Sequence, residues 1–274
     1  MQATASSGRV VLVTGASSGF GRAIAEALSA DGFLVFGSLR SPAATPPSFR
    51  TVTMDVNRDA SVAAAVAEVL RSAGRIDALI NNAGVGLAGA IEDTSIEEAQ
   101  AQFETNFFGT HRVCRALLPH LRAQGRGYII NMSSLAGRVS IPFQGIYSAT
   151  KFAIEAYSEA LRMEVRPFGI QVSMIEPGDF ATSFTANRRR VAADGPGSPY
   201  HAACHGAVAQ MAREELANRD LAPVIQAIRT VLRTSAPRLR YPCATTSQRL
   251  SVVLRRFLPD ATWESIMRRT YRLS

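Results

Sequence analysis

The chain has almost no lysine. Of its 30 basic residues, 29 are arginine and one is lysine, Lys151. It also has only three cysteines in 274 residues, Cys114, Cys204 and Cys243. An odd, scattered set suits neither a disulfide framework nor a thiolate metal centre. It points to a reducing compartment, taken as cytoplasmic, and to no structural metal. No uninterrupted apolar run reaches the roughly 20 residues that a membrane-spanning helix needs. Residues Met1 to Gly8 are polar and uncharged, unlike a secretory signal. No internal repeat or low-complexity tract is visible. With 19% charged and 47% hydrophobic residues, the composition excludes a disordered or fibrous chain and fits one globular domain.

Charge is unevenly placed. Residues 1–187 carry 15 basic and 16 acidic residues, whereas 188–274 carry 15 arginines and 6 acids. The two parts therefore meet different surroundings. We divide the chain into a cofactor-binding and catalytic core, 1–187, and a lid with a helical basic C-terminal part, 188–274, of the same domain.

Arg9 to Thr14 is a short apolar strand. It runs into Gly15-Ala16-Ser17-Ser18-Gly19-Phe20-Gly21 and an alanine-rich helix to about Asp31. In such a strand–turn–helix, Gly15 permits the tight turn and Gly19 lets backbone approach a phosphate. Gly21 lets the helix pack close on the sheet. Phe33 to Leu39 is the second strand. Many NAD-binding folds end this strand with an acid that holds the ribose hydroxyls. Here Leu39 is followed by Arg40. The missing acid and the arginine favour NADP(H) over NAD(H), with Ser17 and Ser18 placed to meet its 2′-phosphate. Asp55 follows a third strand, Arg50 to Met54. It either accepts from an adenine amino group or caps the helix beginning near Asp59.

A helix over 59–73 leads to a fourth strand, Asp77 to Ile80, and to Asn81-Asn82-Ala83-Gly84, whose amides can tie neighbouring strands and line a pocket. One long helix is predicted from Ile96 to about Arg122. Asn106, amid apolar neighbours and three residues before Gly109, either marks a kink or is a buried structural amide. A fifth strand, Gly127 to Met132, ends in Ser133-Ser134. A helix from Tyr147 to about Arg166 precedes a sixth strand, Ile170 to Ile175, followed by Glu176-Pro177-Gly178-Asp179. Six alternations of strand and helix predict an α/β, doubly wound (Rossmann) parallel sheet, with ligands at the carboxyl ends of its strands.

Tyr147 and Lys151 stand four apart, on one helix face. Arginine does not replace a compact ammonium beside a phenol that must also grip a sugar hydroxyl. Beyond the core, Asp179 to Pro199 reads as a mobile lid or a plain surface loop, with helices near 203–218 and 221–235 and a seventh strand at Arg238 to Tyr241. From Ser247 to Tyr271, arginines alternate with Leu, Val, Phe, Ile and Trp263. This tail suits peripheral contact with an acidic membrane, nonspecific nucleic-acid binding, or a helix packed on the domain with its arginines in water. No specific nucleic-acid partner is indicated.

Together, Thr14-Gly15-x-x-x-Gly19-x-Gly21, Asp55, Asn81-Asn82-Ala83-Gly84, Asn106, Ser134, Tyr147-x-x-x-Lys151, and Pro177-Gly178 with Thr182 resemble the short-chain dehydrogenase/reductase family. The match runs in order over about residues 9–185. The resemblance implies hydride transfer between NADP(H) and a hydrophobic ketone, aldehyde or secondary alcohol, as in hydroxysteroid- and retinol-type enzymes. It implies Ser134, thirteen residues before Tyr147, as the catalytic serine that orients the substrate oxygen, and Asn106 as anchor of a proton-relay water. Lys151 would hold the nicotinamide ribose. Pro177, Gly178 and Thr182 would position the carboxamide end. Phe20, Val56, Asn82, Ala83 and Gly84 would line the cofactor site, and Phe143, Phe180 and Phe184 the substrate site. A homodimer or homotetramer is the family's usual assembly.

Free tyrosine has a pKa of about 10. Lys151, together with the positive charge of an oxidised nicotinamide, is expected to lower that of Tyr147, making it general acid for reduction and general base for oxidation. A nucleotide-binding regulator on the same fold and a peripheral membrane protein are the alternatives. The presence of Asn106, Ser134, Tyr147 and Lys151 together favours the enzyme.

Overall fold

A computed structural model of the chain, described for residues 8–42 and 45–273, gathers the apolar runs into one parallel sheet. Its strands are β1 (Val10–Val13), β2 (Leu34–Leu39), β3 (Arg50–Thr53), β4 (Ala78–Asn81), β6 (Gly127–Met132), β7 (Ile170–Pro177) and β9 (Arg240–Cys243). They lie side by side in the order β3-β2-β1-β4-β6-β7-β9. From β1 the chain winds outward to β3, then crosses back and winds the other way from β4. The winding reverses between β1 and β4, which opens a crevice at the carboxyl edge. A separate two-stranded parallel ribbon pairs β5 (Leu87–Ala88) with β8 (Arg189–Arg190).

Side chains alternate across a strand, and in β1 both faces are apolar. Val10 and Leu12 join a core with the apolar sides of α2 (Asp59–Ala73), α4 (Gly109–Gln124) and α5 (Gly145–Val165). Val11 and Val13 join a second core with α1 (Gly19–Ala30) and α8 (Ala222–Arg233). Helices on both faces explain why the central strands read as unbroken hydrophobic runs.

The predicted long helix is three pieces. α3 (Ile96–Phe103), started by a Ser95/Glu98 capping box, runs into a wide π-helical turn over Glu104–Phe108 and then into α4. Asn106 sits in that turn, 2% exposed. Its side chain accepts from Val85 N at 2.9 Å and donates to Val85 O and Thr150 Oγ1, both at 3.1 Å. Both readings of Asn106 therefore hold: the helix is distorted there, and the amide is buried and structural. Such turns are frequent at functional sites.

The segment predicted as a lid carries structure of its own. It contains a short helix, α6 (Ser183–Ala186), and β8, and Arg188 forms a buried ion pair with Glu215 of α7 (His201–Ala217). The seventh strand lies two residues later than predicted, at β9, and pairs with β7. Residues 188–274 thus complete the same sheet. The tail forms two helices, α9 (Thr246–Arg255) and α10 (Asp260–Thr270), broken at Pro259.

Leu79 lies in the central strand β4 and has no exposed surface. Leu79→Ala should lower the unfolding free energy by about 3 kcal/mol, read in urea with an unchanged slope. A loss under about 1 kcal/mol would mean that the sheet's centre is not packed as described.

Candidate active site

The carboxyl ends of β1, β2, β3, β4, β6 and β7 open into one cavity of about 1070 Å³. Gly15, Ser17, Ser18, Gly19 and Phe20 form its floor at the start of α1, and Arg40 stands at the end of β2. Gly15 has a φ of +65°, and a Cβ there would lie 2.9 Å from the Ala83 backbone. Gly21 does not line the cavity. A Cβ on it would come within 2.3 Å of Gly15 O, so its part is to let α1 pack against the turn.

Asn82 locks that turn by donating to Thr14 O at 2.9 Å and Gly15 O at 3.1 Å. Asn81 donates to Asn131 Oδ1 at 2.9 Å, tying β4 to β6. The adjacent amides act as strand ties, as their position suggests. Asp55 and Val56 line the cavity. Asp55 does not cap α2: its carboxylate accepts from Asn57 N at 3.0 Å, while Arg58 is the residue before the helix.

Ser134, Tyr147, Lys151 and Asn106 all meet this cavity. Ser134, rather than Ser133, hydrogen-bonds the Tyr147 phenol. Ser134 Oγ accepts from Ala136 N at 3.1 Å and lies 3.4 Å from Pro177 O. Lys151 is 9% exposed and donates to Met132 O at 2.8 Å. Its Nζ lies 5.8 Å from the Tyr147 ring centroid.

Burial dominates the electrostatics of this pair. It pushes the Tyr147 phenol up to about 12, against the pull of the Ser134 hydrogen bond. It draws Lys151 down to about 8, with Glu155 opposing. In the protein by itself burial therefore sets the phenol, Lys151 is not among the charges that act on it, and the ammonium is turned toward a strand-end carbonyl. Asp179 is likewise pushed up to about 6, by burial and then by Glu215 and Glu214.

Pro177, Gly178, Thr182, Phe180 and Phe184 line the cavity, and Ala83 and Gly84 close the β4 side. Phe184 packs against Tyr147 with ring centroids 5.5 Å apart, and Phe180 packs edge-on against Phe20 at the same spacing. Phe143 is a second correction. It does not line the cavity; its backbone has a φ of 58°, and the ring packs on Ala88, Cys204 and Val208.

Sequence reasoning missed the roof. Trp263, Met267 and Tyr271 of the tail wall the cavity, and Gln248 donates to Asp179. The one tryptophan in a tail otherwise rich in arginine was the available signal.

The cradle fits a dinucleotide: backbone turns that exclude side chains, hydroxyls at Ser17 and Ser18, and a deep end lined by Ser134, Tyr147 and Lys151. The family profile of short chain dehydrogenases matches residues 9–192, and the chain belongs to this short-chain dehydrogenase/reductase family of oxidoreductases, whose fold binds a nicotinamide dinucleotide. A 3-ketodihydrosphingosine reductase of Bacteroides thetaiotaomicron is 49% identical over 180 residues, covering 66% of this chain and 67% of that one. The structure of a short-chain dehydrogenase from Streptomyces avermitilis is 37% identical with a TM-score of 0.79, covering 96% of this chain and 98% of the other. That of a short chain dehydrogenase/reductase from Burkholderia phymatum, in complex with NAD, is 26% identical with a TM-score of 0.79, covering 92% and 94%.

Because Lys151 is the only lysine, isotope-labelled lysine gives one side-chain resonance. Its titration should centre near 8, and Glu155→Gln, which removes an opposing negative charge, should lower it further. A midpoint near the ordinary 10.5 would show that water reaches the ammonium.

Proposed function

We propose that the chain transfers a hydride between NADP(H) and a hydrophobic ketone or aldehyde, or the matching secondary alcohol, with Tyr147 as the proton donor and acceptor. The observation that carries this is the Tyr147 phenol, 8% exposed, hydrogen-bonded to Ser134 and facing a cavity shared with Lys151. The nicotinamide, when bound, supplies or takes the hydride.

Each side chain has a separate part. With its pKa near 12, Tyr147 keeps its proton at neutral pH. That is the form required to protonate a carbonyl oxygen as charge builds on it. The Ser134 hydroxyl makes a long contact with Pro177 O and lies beside the Tyr147 phenol. It is therefore available to orient the substrate oxygen. Lys151 uses one of its three donors on Met132 O, leaving two for the phenol and the ribose hydroxyls. Both ends of the Asn106 amide are taken, and its backbone carbonyl accepts from Thr110 Oγ1 at 3.1 Å; its part in a proton relay is what the family resemblance implies. Phe184 gives the wall beside Tyr147 its apolar character, and Phe180 lines the same cavity, which supports a hydrophobic substrate. The relative named as a reductase of 3-ketodihydrosphingosine supports a ketone.

Preference for NADP(H) rests on Arg40, exposed at the end of β2 and lining the cavity, in a place where no acid stands. A 2′-phosphate there would meet a guanidinium and the hydroxyls of Ser17 and Ser18.

Oxidation of NADPH, and separately of NADH, should be followed against steroid, retinoid, aromatic and aliphatic carbonyls. Tyr147→Phe should bind the dinucleotide normally and lose about a hundredfold or more in turnover; near-normal turnover would sink the mechanism. Arg40→Leu should weaken NADPH by about tenfold or more and leave NADH little changed. Equal weakening of both would remove Arg40 from the cofactor reading.

A further inference from the structure

Helix α9 wears its apolar face outward. Leu250, Val253 and Leu254, with Phe257 in the turn that follows, recur at the i, i+3, i+4, i+7 spacing of one helix stripe. In a globular domain that stripe faces the core. Here Leu250 is 53% exposed, Val253 55%, Leu254 41% and Phe257 74%. The inward side is mixed: Gln248 donates to Asp179, and Ser251 and Val252 lie at the cavity wall.

The surround is basic. Arg249 and Arg256 are exposed beside the stripe, and Arg269 and Arg272 are exposed at the far end of α10. From 246 to 273 there are six arginines and two acids. The same two helices present Trp263, Met267 and Tyr271 to the cavity from their other side. They are a roof with the cavity beneath it and an apolar, cationic surface above.

We propose that α9 and α10 dock on an anionic lipid bilayer, the apolar stripe entering the acyl boundary and the arginines meeting acidic headgroups. The arginines select this occupant. A second copy of the chain, paired face to face through the same patch, would bring together two surfaces that each hold six arginines against two acids. Docking brings the roof of the cavity to the membrane surface, so an apolar substrate passes from lipid to site without crossing open water. That consequence rests on the proposed activity; the docking itself does not.

The full chain is floated with vesicles of phosphatidylcholine alone and of phosphatidylcholine mixed with phosphatidylglycerol. It should float with the mixed vesicles only, and less as salt rises. Phe257→Glu should lose about tenfold or more of this binding, and Arg249→Gln and Arg256→Gln about fivefold each. Circular dichroism and the reduction of a water-soluble aldehyde should be unchanged, since none of these residues lines the cavity. Failure of the wild type to float, or equal flotation of Phe257→Glu, overturns the proposal. So does light scattering that shows a wild-type dimer dissolved by Phe257→Glu, which gives the face to a second copy. The soluble-aldehyde assay reports on the oxidoreductase reading separately, because flotation needs no turnover.

Discussion

A cation held away from water at the carboxyl end of β6 sets the terms for the structure around it. The Lys151 ammonium reaches Met132 O at 2.8 Å, and that contact requires α5 to lie hard against the strand. The rest of the interface keeps it there. Asn131 of β6 donates to Ser158 of α5 at 2.8 Å, and Asn106 donates to Thr150 at 3.1 Å. Gly137 must be glycine-sized, since a Cβ would come within 2.9 Å of the Lys151 carbonyl oxygen. A buried charge without such partners would be strongly destabilising. One ammonium thus explains why three polar ties, a π-helical turn and a small residue converge on a single helix.

The sheet was legible in the sequence because both of its faces are covered. Strands that bury two faces read as continuous apolar runs, and β6 comes out with the predicted limits, Gly127–Met132. The helix over 96–122 was not legible as three pieces, because the distortion answers to contacts far along the chain. Asn106 is held by Val85 and Thr150, 21 and 44 residues away. Phe143 misled for a similar reason. An aromatic residue four before Tyr147 looks like a pocket wall, but a positive φ at Phe143 turns it onto Ala88 and Cys204. Motif residues were easier, since a tight turn or a close approach permits few side chains. Gly15 and Gly21 are fixed by backbone collisions at 2.9 and 2.3 Å.

The C-terminal part shows the limit of composition. Its excess of arginine correctly sets it apart in charge, yet not in architecture, because β9 is the edge strand of the main sheet and α8 packs on α1. Amphipathic spacing in α9 was visible, but spacing does not say which way a face points. Only the inward hydrogen bond of Gln248 and the exposure of Phe257 show that the larger apolar stripe is turned away from the protein. The charge asymmetry then acquires a location: arginines gather around an apolar stripe that the domain leaves uncovered.

Burial also orders the chemistry of the pair at the site's centre. In water tyrosine and lysine titrate close together, at 10.0 and 10.5. In the fold the phenol moves to about 12 and the ammonium to about 8, because a low-dielectric site favours the neutral form of each. The order of proton loss is reversed and the gap widened: as pH rises, the lysine gives up its proton well before the tyrosine. In the proposed reaction the protein by itself thus holds the phenol in its proton-donating form, and a positive charge in the cavity, as on an oxidised nicotinamide, would act against burial and favour the phenolate.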